Sequence, residues 1–349
     1  LSGHPFGKEL VVMLKNCYLQ SSDIQTATFK LVNTLFADYG LIVLIPDNAN
    51  LKRVMQPVFE QDLMEQVPSE LVGESVSALD KAGFKVQAHP RDINLFYLQD
   101  SLRERIVKNG SGYKVHDSQL KFSTEELQQT LQHQPEVFSP NVILRGLFQE
   151  TILPNIAFIG GGGELAYWLE LKELFRHYEV PFPMLVLRNS FLLIDKSLKD
   201  KMEKIGLSDL DIFLPEQELM NKIVKKESAN QLNIQEQIAA AKKLYDDLKA
   251  IAGKIDVTLV QHVAALETAV LKKLQELEKK LLRAERKKFT DHQRQVNAIR
   301  QALFPHGSLQ ERIENFLPYY AKWGKEFFEM IYKHSSPLQG EFAVLTVQD

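Results

Sequence analysis

The chain has 349 residues, enough for two or three structural units at roughly 100–200 residues each. Its 44% hydrophobic and 25% charged content matches a folded globular protein and argues against a disordered or collagen-like one. A formal net charge of −3, from 42 basic and 45 acidic side chains, gives no overall attraction to nucleic acid, and apolar runs of about five residues fall far short of the roughly 17–25 that a membrane helix needs.

Cys17 is the one cysteine, which excludes an intrachain disulfide and a cysteine-based zinc site and suits a reducing cytoplasm. The chain opens Leu1-Ser2-Gly3-His4-Pro5 without Met, so the natural N-terminus is expected to lie outside it.

Residues 1–225 alternate α and β. Ile24 to Tyr39 carries a helical stripe, Ala27, Leu31, Leu35 and Phe36, closed by Gly40. Leu41 to Ile45 is a continuous apolar run, the pattern of a strand buried on both faces. Leu51 to Val67 reads as helix, Glu74 to Ala82 as the end of another, Phe84 to Ala88 as a strand and Asn94 to Leu98 as extended. Asn109-Gly110-Ser111-Gly112 predicts a hairpin turn. Ser123 with Glu125 and Glu126 predicts a helix start, and that helix should end before Pro135. Ile156 to Ile159 reads as a buried strand, Gly160 to Gly163 as a turn, Glu164 to Tyr178 as a helix and Met184 to Leu187 as a second, parallel strand, a βαβ unit.

Composition changes after about Lys225. Leu259, Val263, Leu266, Val270, Leu274, Leu277, Leu281 and Ala284 recur at spacings of three and four, a coiled-coil stripe; Ile238, Ala241, Tyr245, Leu248, Ala252 and Ile255 form an earlier one. This predicts an antiparallel pair of long helices, or one helix kinked near Gly253. A turn at Pro305-His306-Gly307, a capped helix from Ser308, an aromatic helix from Tyr319 to Tyr332 and a strand from Glu341 to Val347 complete the chain. The domains expected are therefore an α/β core over 1–225, a coiled-coil dimerisation arm over 226–304, and a helical piece over 305–349 packing back on the core.

The glycine turn before Glu164 is the strongest chemical signal. A glycine run between a strand and a helix admits a ligand to backbone N–H groups at the positive end of the helix dipole. Its spacing is neither G-x-G-x-x-G nor a Walker loop. Glu164 there suits an amine or hydroxyl better than a phosphate. The same residues also suit an ordinary tight turn with an acidic first helical turn. Arg188 and Asn189 follow the second strand at the edge where open α/β sheets bind ligands, and Arg is a natural carboxylate or phosphate clamp. Asn141, Arg145 and Gln149 share a helical face, with Asn155 nearby. Arg91, Asn94 and Tyr97 form a further polar group, for which an ordinary structural role is the better account. The nine His show no metal-ligand spacing, so no metal is expected. The Lys and Arg between Lys272 and Lys288 alternate with acids and read as a solvated coiled-coil face.

Phe138-Ser-Pro-Asn141-Val-Ile-Leu-Arg145, Gln149-Glu150 and Ile152-Leu-Pro-Asn155 through Gly160-Gly-Gly-Gly-Glu164-Leu-Ala-Tyr167-Trp168 resemble the bacillithiol biosynthesis cysteine-adding ligases. Tyr39-Gly-Leu-Ile-Val-Leu, Asn94-Leu-Phe-Tyr97, Arg103-Glu-Arg105, Leu303-Phe-Pro305 and Gln310-Glu-Arg312 resemble the same family in the same order. Gly162 and Gly146 stand where that family usually has proline. Its N-terminal Gly-Gln-Gln-type loop and acidic His-Asp motif do not occur, so the chain resembles the C-terminal two-thirds of such a ligase.

The resemblance implies a Rossmann-like, partly parallel core related to class I aminoacyl-tRNA synthetases, a coiled coil that forms a homodimer, and a reaction joining the carboxyl of cysteine to the amine of glucosaminyl malate. Amide formation from a free carboxylate needs activation, which makes a nucleotide such as ATP or ADP a candidate cosubstrate; no residue identifies it. Glu164 is then the catalytic residue expected. Asn141, Arg145, Gln149, Asn155, Gly160, Gly161, Gly162, Gly163, Trp168, Arg188 and Asn189 are expected to bind substrate. A non-catalytic dimeric scaffold and a nucleotide-binding module with a synthetase-like fold are the alternatives.

Overall fold

Residues 1–99, 101–336 and 338–347 are described by a computed structural model. The chain divides into two compact units: Leu1–Asn189 with Phe316–Glu341, and Ser190–Asn315 with the chain from Phe342 onward. Composition drew its lines at 225 and 304.

In the first unit, β1 (Leu95–Gln99), β2 (Leu102–Asn109), β3 (Gly112–Val115), β4 (Lys121–Phe122) and β5 (Phe138–Pro140) form an antiparallel sheet in the order β4-β3-β2-β1-β5. The hairpin turn forms as its glycines predict: Asn109 pairs with Gly112, and Gly110 takes φ +62°, a conformation favouring glycine. Ser123 caps the Thr124–His133 helix, its Oγ accepting from Glu126 N–H at 3.1 Å while Glu126 accepts from Ser123 N–H at 2.7 Å. The sheet and the helices on it enclose a core that includes Phe59, Leu63, Val115, Leu127, Phe138, Leu147, Trp168 and Phe175.

The βαβ unit also forms. β6 (Ala157–Gly160) and β7 (Met184–Leu187) pair in parallel across the Gly162–Glu170 and Lys172–His177 helices. It is not a strand buried on both faces: Ile156 is 91% and Ile159 58% exposed. Leu41 to Ile45 is not a strand, and Ile42 is 85% exposed. Among the described residues no strand pairs with this run, and an apolar run becomes a strand only when a neighbour takes up its N–H and C=O groups. Phe84 to Ala88 is not a strand either. The buried Glu170 carboxylate accepts from Gln87 N–H (2.7 Å) and Ala88 N–H (3.0 Å), a side chain supplying the partner a strand would have.

The aromatic helix is two helices, Leu317–Trp323 and Lys325–Lys333, broken at Gly324 (φ +59°), where a Cβ would lie 2.8 Å from the Phe6 ring. They pack on Gly7–Tyr18 and Ile24–Phe36 around Leu10, Cys17, Leu31, Tyr320 and the tilted Phe36–Phe328 pair.

In the second unit, β8 (Ser190–Asp195) and β9 (Phe342–Val347) pair in parallel. The other edge of β8 is held by side chains: Gln310 accepts from Leu193 N–H at 3.0 Å and donates to Leu193 C=O at 3.3 Å, and Glu311 accepts from Phe191 N–H at 3.1 Å. The helix carrying them is only Gln310–Ile313, without a side-chain cap, rather than a capped helix from Ser308. The arm is the two-helix form, Gln235–Ile255 and Thr258–Arg286, turning at Asp256–Val257 rather than at Gly253. Lys249 pairs with Glu267 at 2.5 Å and Asn230 donates to Glu285 at 3.0 Å, so pairing positions diverge from the turn and the helices are antiparallel. Among the described residues no helix is long and apolar enough to cross a membrane.

Candidate functional site

The glycine turn sits where β6 meets the Gly162–Glu170 helix. None of its glycines has a positive φ, so backbone strain does not require them. Space distinguishes them instead. Gly160 is buried, and a Cβ there would fall 2.6 Å from the Phe158 ring. At Gly162 and Gly163 a Cβ would meet nothing within 4 Å. The two outer glycines therefore leave the helix N-terminus open to an incoming group.

Glu164 closes this turn itself. Its Oε2 accepts from Gly161 N–H at 2.8 Å, and the residue is exposed. Arg188 is tied to the turn through its N–H, which donates to Gly160 C=O at 2.9 Å; its guanidinium carbon lies 3.6 Å from where a Gly161 Cβ would stand. The structure thus brings Gly160, Gly161, Glu164 and Arg188 together. Asn189 follows Arg188 and is half-buried.

One helical turn beyond Glu164, Tyr167 faces a cleft of about 400 Å³ lined by Arg91, Arg103, Arg105 and Arg145, with His89 and Asn141, and, among the described residues, by no carboxylate. Four guanidinium groups around one cleft make an anion site; each can hold a carboxylate in a bidentate fork. Burial raises the Tyr167 hydroxyl pKa, a hydrogen bond with Trp168 lowers it, and the charges of Glu164 and Arg145 act on it in opposite senses. Arg103 also lies 3.9 Å over the Phe96 ring. Arg103 and Arg145 continue into a neighbouring cleft of about 700 Å³ with Gln149 and Asn155.

Not every expected residue reaches a ligand-accessible place. Trp168 is 1% exposed and stacked on Phe158 at 4.0 Å, so it belongs to the core rather than to a binding surface. A Cβ at Gly146 would come 3.3 Å from Trp168, and that close approach seats the Arg145 helix, Val142–Ile152. Asn141 caps the same helix, accepting from Ile143 N–H at 2.8 Å. Asn155 and Gln149 donate to the buried Glu150 carboxylate, each at 3.0 Å, which fixes the chain entering β6.

Arg103 and Arg105 carry no site role in the sequence reading, although their spacing of two on β2 puts them on one face. Arg91 joins them in the cleft, and Asn94, three residues on, borders it while fully buried. Asp62 has, among the described residues, no partner near it in sequence to mark it. Its carboxyl is fully buried and pushed up to about 7 by that burial, against the hydrogen bonds from Asn94. Among the described residues, Glu104, His116 and Asp117 bring three ligand-type atoms within 4.8 Å of one another; Asp117 is exposed and pairs with His116 at 3.1 Å. The second unit has its own cleft, about 640 Å³ around Glu216, Arg300 and His306, where the Arg300 guanidinium is engaged with Leu214 C=O at 2.7 Å.

A parallel βαβ unit, with Tyr167 of its helix lining an arginine cleft, followed in the chain by a two-helix arm, defines a Rossmann-like α/β unit joined to a coiled-coil unit. The chain belongs to the bacillithiol biosynthesis BshC family: residues 2–189 match its N-terminal Rossmann-like domain and residues 191–347 its C-terminal coiled-coil domain. The resemblance seen in the sequence is therefore borne out. Proteins named "Putative cysteine ligase BshC" are similar to it: one from Christiangramia forsetii is 39% identical over 94% of this chain and 61% of its own length, and one from Flavobacterium johnsoniae is 38% identical over 96% and 63%. One from Salinibacter ruber is 27% identical over 91% and 59%. The chain spans about three-fifths of the length of these curated relatives.

Because Gly162 faces open space, Gly162→Val should leave folding nearly intact, within about 1 kcal/mol, while filling the mouth of the turn. Titration with an amine-bearing ligand should show weaker binding in the variant. Equal affinities would reduce the glycine run to a turn.

Proposed function

We propose that the chain carries the acceptor-binding part of a ligase acting in the cytoplasm, which joins the carboxyl of cysteine to the amine of glucosaminyl malate. The observation that supports this reading is the arginine cleft beside the glycine turn. The acceptor would carry two carboxylates on its malate portion and one amine on its sugar. The cleft offers Arg91, Arg103, Arg105 and Arg145 for the first, and the exposed Glu164 lies one helical turn away for the second. With Oε2 on Gly161 N–H, Glu164 would use Oε1 to accept a hydrogen bond from the amine and take its proton as the amine attacks a cysteine carboxyl activated by a nucleoside triphosphate, the phosphate or nucleotide leaving with the displaced oxygen as the amide forms. Arg188 and the open N–H groups of the turn would hold the cysteine carboxyl oxygen.

The test is steady-state amide formation by the full-length protein. Glu164→Gln keeps the cap and removes the base, so kcat should fall by about 10²–10⁴ with KM little changed. Arg145→Lys keeps the charge and loses the fork, so KM for the acceptor should rise, by about 10-fold or more. Unchanged kinetics in both would remove the chemistry from this cleft.

The arm would form the homodimer. Leu266 and Leu277 are each 46% exposed on the Thr258–Arg286 helix, and Leu248 and Ile251 are exposed on its partner helix, an apolar stripe the antiparallel pair leaves uncovered. Leu266→Lys with Leu277→Lys would bury unpaired charge there. Sedimentation should then report monomer; a persistent dimer would place the interface elsewhere.

A further inference from the structure

Asp62 is a buried carboxylate that the proposed reaction does not use. It lies on the Gln56–Met64 helix, fully buried, and its hydrogen bonds go to a single neighbour. Asp62 Oδ2 accepts from Asn94 N–H at 2.7 Å and Oδ1 accepts from Asn94 Nδ2 at 3.0 Å. Both Asp62 oxygens accept here, so this pair holds the Asn94 amide with its nitrogen toward Asp62 and its oxygen away. The Asn94 Oδ1 then accepts from Arg91 N–H at 3.1 Å and from Asn141 Nδ2 at 2.9 Å. Asn94 C=O accepts from Asn141 N–H, also at 2.9 Å, and Asn94 Nδ2 donates to Arg91 C=O at 2.8 Å. Asn141 in turn begins the helix of Arg145, whose N–H donates to Asn141 C=O at 2.9 Å. The two chain segments that bring Arg91 and Arg145 to the cleft are therefore joined through one asparagine, and the orientation of that asparagine is set from beneath by Asp62.

We propose that Asp62 is the positioning residue of the arginine cleft, acting through Asn94 to set the separation of Arg91 and Arg145 and hence the cleft's affinity for a dicarboxylate. This rests on the functional reading only in taking the cleft's ligand to be the malate portion of the acceptor. A carboxylate buried without a cation is a poor way to gain stability, since desolvation opposes it. What it supplies is a fixed polarity, because the Asn94 amide can point only one way against two acceptor oxygens. An asparagine at 62 would present a donor to the donor of Asn94, and the amide would lose either Asp62's place or the Arg91 and Asn141 contacts.

The probe is L-malate, titrated calorimetrically into the full chain, with amide hydrogen exchange over residues 138–147 as a second readout. Asp62→Asn is nearly isosteric. It should weaken malate binding by about tenfold and speed exchange in 138–147. The swap of Asp62→Asn with Asn94→Asp restores one donor facing one acceptor and keeps an oxygen toward Arg91 and Asn141, but it sets the second carboxylate oxygen at position 94 against Arg91 C=O, so it should recover malate affinity in part, above that of Asp62→Asn alone. Unchanged malate affinity in Asp62→Asn, or a swap no better than the single variant, overturns the proposal. If the parent does not bind malate, the acceptor reading falls. Exchange then decides the Asp62 claim: unchanged exchange over 138–147 in Asp62→Asn overturns it, and faster exchange reversed by the swap sustains it.

Discussion

Replacing Trp168 by alanine is expected to destabilise the first unit by about 3–5 kcal/mol. The indole is 1% exposed and stacked on Phe158 at 4.0 Å and 20°. It also meets Phe175 at 5.6 Å and Phe182 at 6.0 Å, and Gly146 brings the Arg145 helix against it. Removing the indole leaves a void among rings held by three separate elements, which cannot close together on it. Urea unfolding should show a lower midpoint with an unchanged slope. A loss below about 1 kcal/mol would mean the site collapses freely and that Trp168 is not a core anchor. Because Gly146 and Trp168 seat the helix carrying Arg145, the variant should also bind acceptor more weakly, as a consequence of packing.

The second large effect is in the pH dependence of stability. Burial holds the Asp62 carboxyl at about 7 in the folded chain, against the ordinary 3.8 of an aspartate in the unfolded one. Below about pH 4 both states carry the proton and the native state has its full stability from this group. Between about pH 4 and 7 the folded chain keeps a proton that the unfolded chain releases, so stability falls as pH rises, by about 1.4 kcal/mol per unit and on the order of 4 kcal/mol in all. Above pH 7 both states are ionised and the slope vanishes. Asp62→Asn removes this titration. The stability of the parent relative to the variant should therefore decline from pH 4 to pH 7 and then level. Parallel profiles would show that Asp62 titrates as an exposed carboxyl does.

The sequence by itself determined what depends on nearby residues. The hairpin at Gly110, the Ser123 capping box and the βαβ order around Gly160 to Gly163 follow from turn chemistry, a side chain three residues from its partner, and period. The long helical stripes of the arm follow from apolar spacing sustained over many turns, and the structure decides that they are two helices rather than one kinked helix. The block from Phe138 to Trp168 carried the family. Tertiary structure alone decided the rest. Leu41 to Ile45 and Phe84 to Ala88 have strand-like composition, but strand formation requires a partner backbone, and in the second case Glu170 takes the N–H groups instead. Trp168 looks the same in sequence whether it faces a ligand or Phe158, because burial depends on what packs over it. The arginine cleft gathers residues 91, 103, 105 and 145 from a loop, a strand and a helix, with no common period to reveal them. Asp62 lies 32 residues from the asparagine it orients, and only the packing of the Gln56–Met64 helix under β1 makes its charge matter to that cleft.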